Sequence, residues 1–155
     1  GAFFSPAVIA SVLVMLAVLA IFLLALLLLK RRRIKRAAFV DLVQGVTRQD
    51  DARLLDGFDL DGLSPDAPIT RQEAAQILAN ALMHRGLFVN EEFSGLARRY
   101  SDADEMDARY VEGIEIARGL GVLEGAQPTL YRPTDPLTRR QAERSIDLLR
   151  RILQR

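Results

Sequence analysis

Two stretches place chemically useful side chains at a recurrent spacing, Thr70-Arg-Gln-Glu73 and Thr138-Arg-Arg-Gln141. In each, a Thr hydroxyl can accept the backbone N–H three residues on, while the Glu or Gln side chain reaches back to the Thr N–H. This reciprocal capping box starts a helix. Pro68 and Pro136, just upstream, keep the preceding residues out of helix. Other clusters point to simpler roles. Asp59-Leu-Asp61-Gly62 has the spacing of the middle of a calcium loop, but Gly57 stands at the first ligand position and Pro68 at that of the bidentate Glu, so a polar turn is expected. Asp102, Asp104, Glu105 and Asp107 gather beside a helix start, where the dipole favours negative charge. His84, the single histidine, falls near the end of an amphipathic helix and is expected at the surface or its boundary. The absence of cysteine excludes disulfides, thiolate catalysis and Cys-based metal sites. No Ser/His/Asp set, phosphate-cradling glycine loop or pair of metal ligands can be assembled, so the sequence predicts no enzyme, no cofactor and no metal.

The elements that carry the two caps repeat. Laid at an offset of 68 without gaps, Leu54 to Gly86 falls on Val122 to Gln154, with Gly57 on Gly125, Pro65 on Pro133, Pro68 on Pro136, Thr70 on Thr138, Arg71 on Arg139 and Ala74 on Ala142. After the caps, Ala74, Ile77, Leu78, Ala81 and Leu82 form one apolar stripe, and Ala142, Ile146, Leu149 and Ile152 form another. Gly86 ends the first helix, and Arg150, Arg151 and Arg155 suit the C-terminal dipole of the second. Carried backwards, Leu42, Val43 and Val46 land on Tyr110, Val111 and Ile114, so each unit reads helix, Gly/Pro-rich loop, helix. Asn90-Glu-Glu-Phe93 begins a short helix in the connector.

Ahead of the repeats, Pro6 to Leu29 carries no charge, and 24 residues at a rise of about 1.5 Å give roughly 36 Å of helix, enough to span a hydrocarbon core. No positive charge precedes the run, which argues for a span over a cleaved signal. Lys30, Arg31, Arg32, Arg33, Lys35 and Arg36 follow it directly. Such a cluster attracts anionic head groups and marks the cytoplasmic side, so the N-terminus is expected outside and the domain inside, in a bacterial inner membrane. Ala7, Ala10, Ser11, Ala17, Ala20 and Ala25 are the small residues that would let another helix approach the span. With six of the 21 basic residues in this cluster, 15 remain against 20 acidic ones, a balance that excludes nucleic acid as a partner. The expected fold is all-α: an anchor over 1–36 and a helical domain over 37–155. Its first repeat covers about 37–86, its connector 87–99 and its second repeat about 100–155.

Tyr100-Ser-Asp102, the helix with Tyr110 and Ile114, Gly121-Val-Leu-Glu-Gly125, Leu130-Tyr131-Arg-Pro133 and Leu137-Thr138-Arg139 resemble, in order and spacing, the S-layer homology domain. The first repeat matches over Leu54 to Leu82, including Ile69-Thr70-Arg71-Gln72-Glu73-Ala74, with the opening aromatic-x-Asp either missing or replaced by Phe39-Val-Asp41. Gln141 stands where the family has Glu. The family commonly works as three units and binds cell-wall polysaccharide, its Thr-Arg-Ala-Glu arginine meeting anionic sugar substituents. That resemblance makes Arg71 and Arg139, with Thr70, Thr138 and Glu73 around them, the candidate contacts to a ligand or partner. Since the charge rule sets the domain on the cytoplasmic face, the leading expectation is a non-catalytic accessory subunit that docks onto other membrane-protein subunits in the bilayer. The alternative is an envelope anchor that binds anionic cell-wall polysaccharide.

Overall fold

The computed structural model describes residues 5–87 and 91–155, without the side chains of Lys30, Arg31 and Glu91. It forms two units that adjoin in sequence, Gly1–Arg32 and Arg33–Arg155. The fold is all-α: among the described residues, extended backbone pairs only through isolated bridges.

The first unit is the helix α1 (Pro6–Arg31), whose Pro6–Leu29 stretch has a mean hydropathy of 3.4 and is long and apolar enough to cross a membrane. Its apolar side chains, Ala7, Ala10, Ala17, Ala20 and Ala25 included, are all exposed. Ser11 donates its hydroxyl to the Ala7 carbonyl (2.9 Å), which satisfies the polar group within the helix itself.

The second unit contains α2 (Arg36–Thr47), α3 (Asp51–Leu54), α4 (Arg71–His84), α5 (Val111–Gly119) and α6 (Arg139–Leu153), joined by short 3-10 turns. Its organising feature is a closed ring of backbone hydrogen bonds. The Ile34 N–H donates to the Leu137 carbonyl (3.3 Å), the Leu137 N–H to the Ile69 carbonyl (2.9 Å), and the Ile69 N–H to the Ile34 carbonyl (2.9 Å). All three side chains are fully buried. The residue after each ring member bridges to the residue before another: Lys35 to Pro68, Thr70 to Pro136 and Thr138 to Arg33. Two residues after each member, a helix begins on an arginine, Arg36 in α2, Arg71 in α4 and Arg139 in α6. The equivalence extends to the flanking bonds. Arg36 N–H donates to Ala67 and Ala37 N–H to Pro65, while Arg71 N–H donates to Asp135 and Gln72 N–H to Pro133.

Three helix-opening motifs are therefore arranged about a pseudo-threefold ring, where two repeats were expected. The third is Ile34-Lys-Arg36-Ala-Ala-Phe39, which shares the ring residue and the arginine but has lost Thr and Glu, and Lys35 makes no side-chain cap. Consequently α2 is the counterpart of α4 and α6 rather than of α5. The compact unit starts at Arg33, not at the expected Ala37, because Ile34 is core. Ile34→Val is accordingly expected to lower the stability of the domain by about 1 kcal/mol in chemical denaturation. A residue in a mere tether would give no change.

The caps form as expected. Thr70 accepts from Glu73 N–H (3.4 Å) while Glu73 accepts from Thr70 N–H (2.9 Å), and Thr138 and Gln141 reciprocate at 3.1 Å each. The stripe on α6 buries Ala142, Ile146 and Leu149, with Ile152 half-buried. On α4 the expected single stripe is exceeded, since polar Arg71, Gln72, Glu73 and Asn80 are buried as well. The helix lies between α2, α3 and α5, and its polar side chains tie down the surrounding loops. Asn80 donates to the carbonyls of Leu54 (2.8 Å) and Asp56 (2.9 Å), and Gln72 accepts from Asp107 N–H (3.0 Å). In the connector, Glu91–Phe93 and Leu96–Arg99 are 3-10 turns; the helix start expected at Asn90 lies outside the described residues.

Candidate functional site

A cleft of about 270 Å³ opens where the first turn of α4 meets the Gly121–Gly125 loop and α6, lined by Arg71, Gly125, Gln141, Arg144, Ser145 and Leu148. Arg71 is 4% exposed. One of its terminal nitrogens donates to the Glu124 carbonyl (3.2 Å), but its buried Nε has no hydrogen-bond partner in the protein. Burial lowers the pKa of the guanidinium from its ordinary value, and the nearby Tyr131, Asp135 and Tyr100 oppose that drop only in part. A desolvated cation with an unused donor is an arrangement that an oxyanion completes.

The walls are set by the loop of the second repeat. Asp102 accepts from the N–H groups of Tyr131 (2.9 Å) and Arg132 (2.8 Å), and Ser101 N–H donates to the Thr129 carbonyl. The Asp102 carboxylate was expected to answer a helix dipole; instead it clasps a loop about thirty residues away. Burial alone would raise its pKa, yet the two N–H donors more than offset this and hold it below the usual value. Tyr131 is fully buried, edge-on to Tyr100 at 5.1 Å, and its hydroxyl has no hydrogen-bond partner in the protein. Burial drives its pKa far up, the Arg71 charge opposing. Tyr100 accepts from Gly125 N–H (3.1 Å) and from Arg118. A Cβ on Gly125 would lie 2.6 Å from the Tyr100 ring, so this glycine permits a close approach. Gly57, its partner in the sequence repeat, instead meets a left-handed backbone (φ 85°).

A second cleft, of about 210 Å³, lies between α2, α4 and the loop after α3, with Val40, Leu55, Phe58, Leu63 and Ile77 on its walls. By the ring symmetry it is equivalent to the first: Arg36 takes the place of Arg71, and Glu73 that of Gln141. Here the arginine is spent. Its Nε lies 3.1 Å from both Glu73 oxygens, NH2 is 3.0 Å from Oε2, and NH1 donates to the Ser64 carbonyl (3.1 Å).

The candidate residues thus separate. Arg71 lines a cleft, whereas Arg139 is exposed on the surface. Thr70 and Thr138 are spent on caps, and Glu73 on a cap and on Arg36. Of the expected membrane-surface anchors, Arg32, Arg33 and Lys35 are exposed and the side chains of Lys30 and Arg31 lie outside the described residues, but Arg36 is an internal ion-pair partner and is corrected to that role. Phe39 is core and Asp41 a cleft-wall residue, so Phe39-Val-Asp41 does not replace the aromatic-x-Asp clasp. Asp59 accepts from Asp61 N–H in a polar turn, and His84 is exposed, both as expected. Sequence reasoning missed Arg144 and Gln141 as cleft residues; the one available signal was Gln141 itself, as a departure from the Glu in the first repeat.

Residues 99–143 match the S-layer homology domain family. No curated protein matches the chain. Among solved structures, an undecahaem cytochrome from the S-layer of Carboxydothermus ferrireducens is similar, with a TM-score of 0.56 and 17% identity. The likeness covers 79% of this chain and 18% of the cytochrome, and at that identity it bears on the fold.

Proposed function

Because residues 99–143 form an S-layer homology domain, we propose that the protein is a non-catalytic cell-envelope module, held to a bilayer by α1, that takes an anionic substituent of an envelope polysaccharide into the Arg71 cleft. The observation that carries this reading is the buried guanidinium whose Nε has no partner within the protein. A charge kept out of water without an acid opposite it costs stability, and an incoming carboxylate or phosphate offsets that cost with charge-assisted hydrogen bonds. Arg144 adds a second positive charge at the cleft wall. The envelope reading sets the domain on the polymer's face of the membrane.

One observation favours a second reading. Even with Arg36 withdrawn into the fold, Lys30, Arg31, Arg32, Arg33 and Lys35 follow the apolar helix, a flank that favours the cytoplasmic side. The domain would then dock onto other subunits of a membrane assembly, with Ala7, Ala10, Ser11, Ala17, Ala20 and Ala25 as the packing face of the span. Protease treatment of intact spheroplasts separates the two. The envelope reading expects the domain to be digested from outside, and purified anionic wall polymer to retain the solubilised protein. Protection of the domain together with no retention would overturn it in favour of docking.

A further inference from the structure

The two equivalent clefts carry opposite charge. Arg71 and Arg144 make the cleft at α6 basic, whereas the cleft between α2 and α4 sets its one arginine, Arg36, against Glu73 and brings two further carboxylates, Asp41 and Asp51, to its wall. Both aspartates are exposed, and among the described residues neither pairs with a cation; Asp51 accepts one hydrogen bond, from Gln44. They belong to a wider bias. Residues 41–66, which supply much of this cleft, contain seven aspartates against two arginines. That excess of five equals the whole acidic excess of the chain beyond Arg36, where 20 acidic residues stand against 15 basic ones, so the negative field is concentrated on the segment that builds this cleft.

Beside these acids the cleft is apolar. Val40 and Ile77 are buried in it, and Leu55, Phe58 and Leu63 are half-buried on its wall. Leu60, on the 3-10 turn after α3, also lines it while 60% exposed. Outside α1, Leu60 and Met83 are the only exposed large apolar side chains among the described residues. A volume of about 210 Å³ has room for one large apolar side chain, and Leu60 continues the apolar surface past it, which suits an extended occupant better than an isolated small molecule. We infer that this cleft docks a basic peptide segment of a partner protein: one apolar side chain enters among Val40, Leu55, Phe58 and Ile77, and lysines or arginines on either side of it meet Asp41 and Asp51. The inference goes beyond the proposed function and uses neither Arg71 nor the face of the membrane on which the domain lies. A buried apolar anchor supplies most of the affinity of such a contact, and the flanking charges orient it and speed encounter. Asp41 and Asp51 repel an anion, and the apolar wall would strip a sugar's hydroxyls of their hydrogen bonds.

The test uses the full chain in neutral maltoside micelles with ¹³C-labelled Leu, Val and Ile methyl groups. It is titrated with capped synthetic peptides in which one Leu, Phe or Trp stands between three lysines on each side. At least one of these peptides is expected to give saturable shifts at Val40, Leu55, Leu60 and Leu63, and an Ala-centred peptide to bind at least about tenfold more weakly. Asp41→Asn combined with Asp51→Asn is expected to weaken binding about tenfold at low salt, and the difference to shrink as salt is raised. Leu60→Ser is expected to weaken it about threefold. The same charge change at Asp104 and Glu105, which are exposed elsewhere on the domain, is expected to leave the affinity unchanged. Every exchanged side chain is exposed, and an unchanged methyl spectrum away from the cleft confirms the fold. No saturable shift with any of the three peptides, equal binding of the Ala-centred peptide, or an equal loss from Asp104→Asn with Glu105→Gln overturns the inference. Shifts at the same methyl groups on concentrating the protein alone identify a second copy of the chain as the occupant and overturn it as well. Failure here leaves the reading of the Arg71 cleft standing, because retention on anionic polymer does not involve these residues.

Discussion

Arg71→Met is expected to abolish retention on anionic polymer and, at the same time, to raise the melting temperature of the domain. The loss follows from the bonds the guanidinium has free. Two charge-assisted hydrogen bonds at about 1.5 kcal/mol or more each amount to a fall of roughly a hundredfold in affinity. The gain in stability follows from the same residue in the unliganded fold. The buried guanidinium has one backbone acceptor, Glu124, and a partnerless Nε, whereas Met fills the space without desolvating a charge. A net gain of about 1 kcal/mol, or roughly 4 °C for a domain of this size, is expected after allowing for water in the open cleft and for the field of Asp135. Arg36→Met should change stability with the opposite sign. Glu73, its side chain 6% exposed, would lose its cation and remain buried, at a cost of about 2–3 kcal/mol. Calorimetry of both variants beside a polymer sedimentation assay is the check. A fall in melting temperature in Arg71→Met, equal to that in Arg36→Met, would show that both arginines are structural.

What could be read before the structure was the local part. Thr70 and Thr138 announce their helices because a capping box is closed within four residues, and the 68-residue repeat survives in prolines and glycines that shape each loop. The third motif escaped because Ile34-Lys-Arg36 sits inside a run of basic residues, where Arg36 is indistinguishable by type from a lipid-facing charge. Only the ring bonds from Ile34 to Leu137 and Ile69 separate the two roles. The same limit hid Gln141 as a cleft residue. Its difference from Glu73 is visible in the repeat, but the guanidinium each one faces comes from a different motif, and pairing across motifs is a product of the ring. The burial of α4 on all sides was equally out of reach, since its polar residues bond to loops 24 to 35 residues distant.

Asp102 is the position where the largest loss of stability is expected. Its two oxygens each accept a backbone N–H, from Tyr131 and from Arg132, and Arg132 itself is held at a left-handed φ of 57°. Hydrogen bonds to a charged acceptor contribute about 1.5–3 kcal/mol each, and the left-handed turn at Arg132 needs an external hold because a non-glycine residue disfavours it. Asp102→Asn keeps one acceptor and turns an amide N–H against the remaining backbone donor, so a loss of about 3 kcal/mol is expected in chemical denaturation. The pH dependence has a definite sign. The folded-state pKa of Asp102 lies below that of an unfolded Asp, about 3.9, so its contribution is complete above that value. The contribution is lost as pH falls through the lower, folded-state pKa. The stability difference between wild type and Asp102→Asn is therefore expected to be constant near neutrality and to shrink below about pH 4. Because the loop that Asp102 clasps carries Tyr131, whose ring packs on Tyr100 beside Gly125, the same variant should also weaken anion binding at Arg71. A difference that stays the same down to pH 2 would mean that the carboxylate charge, as opposed to its shape, contributes nothing to the clasp.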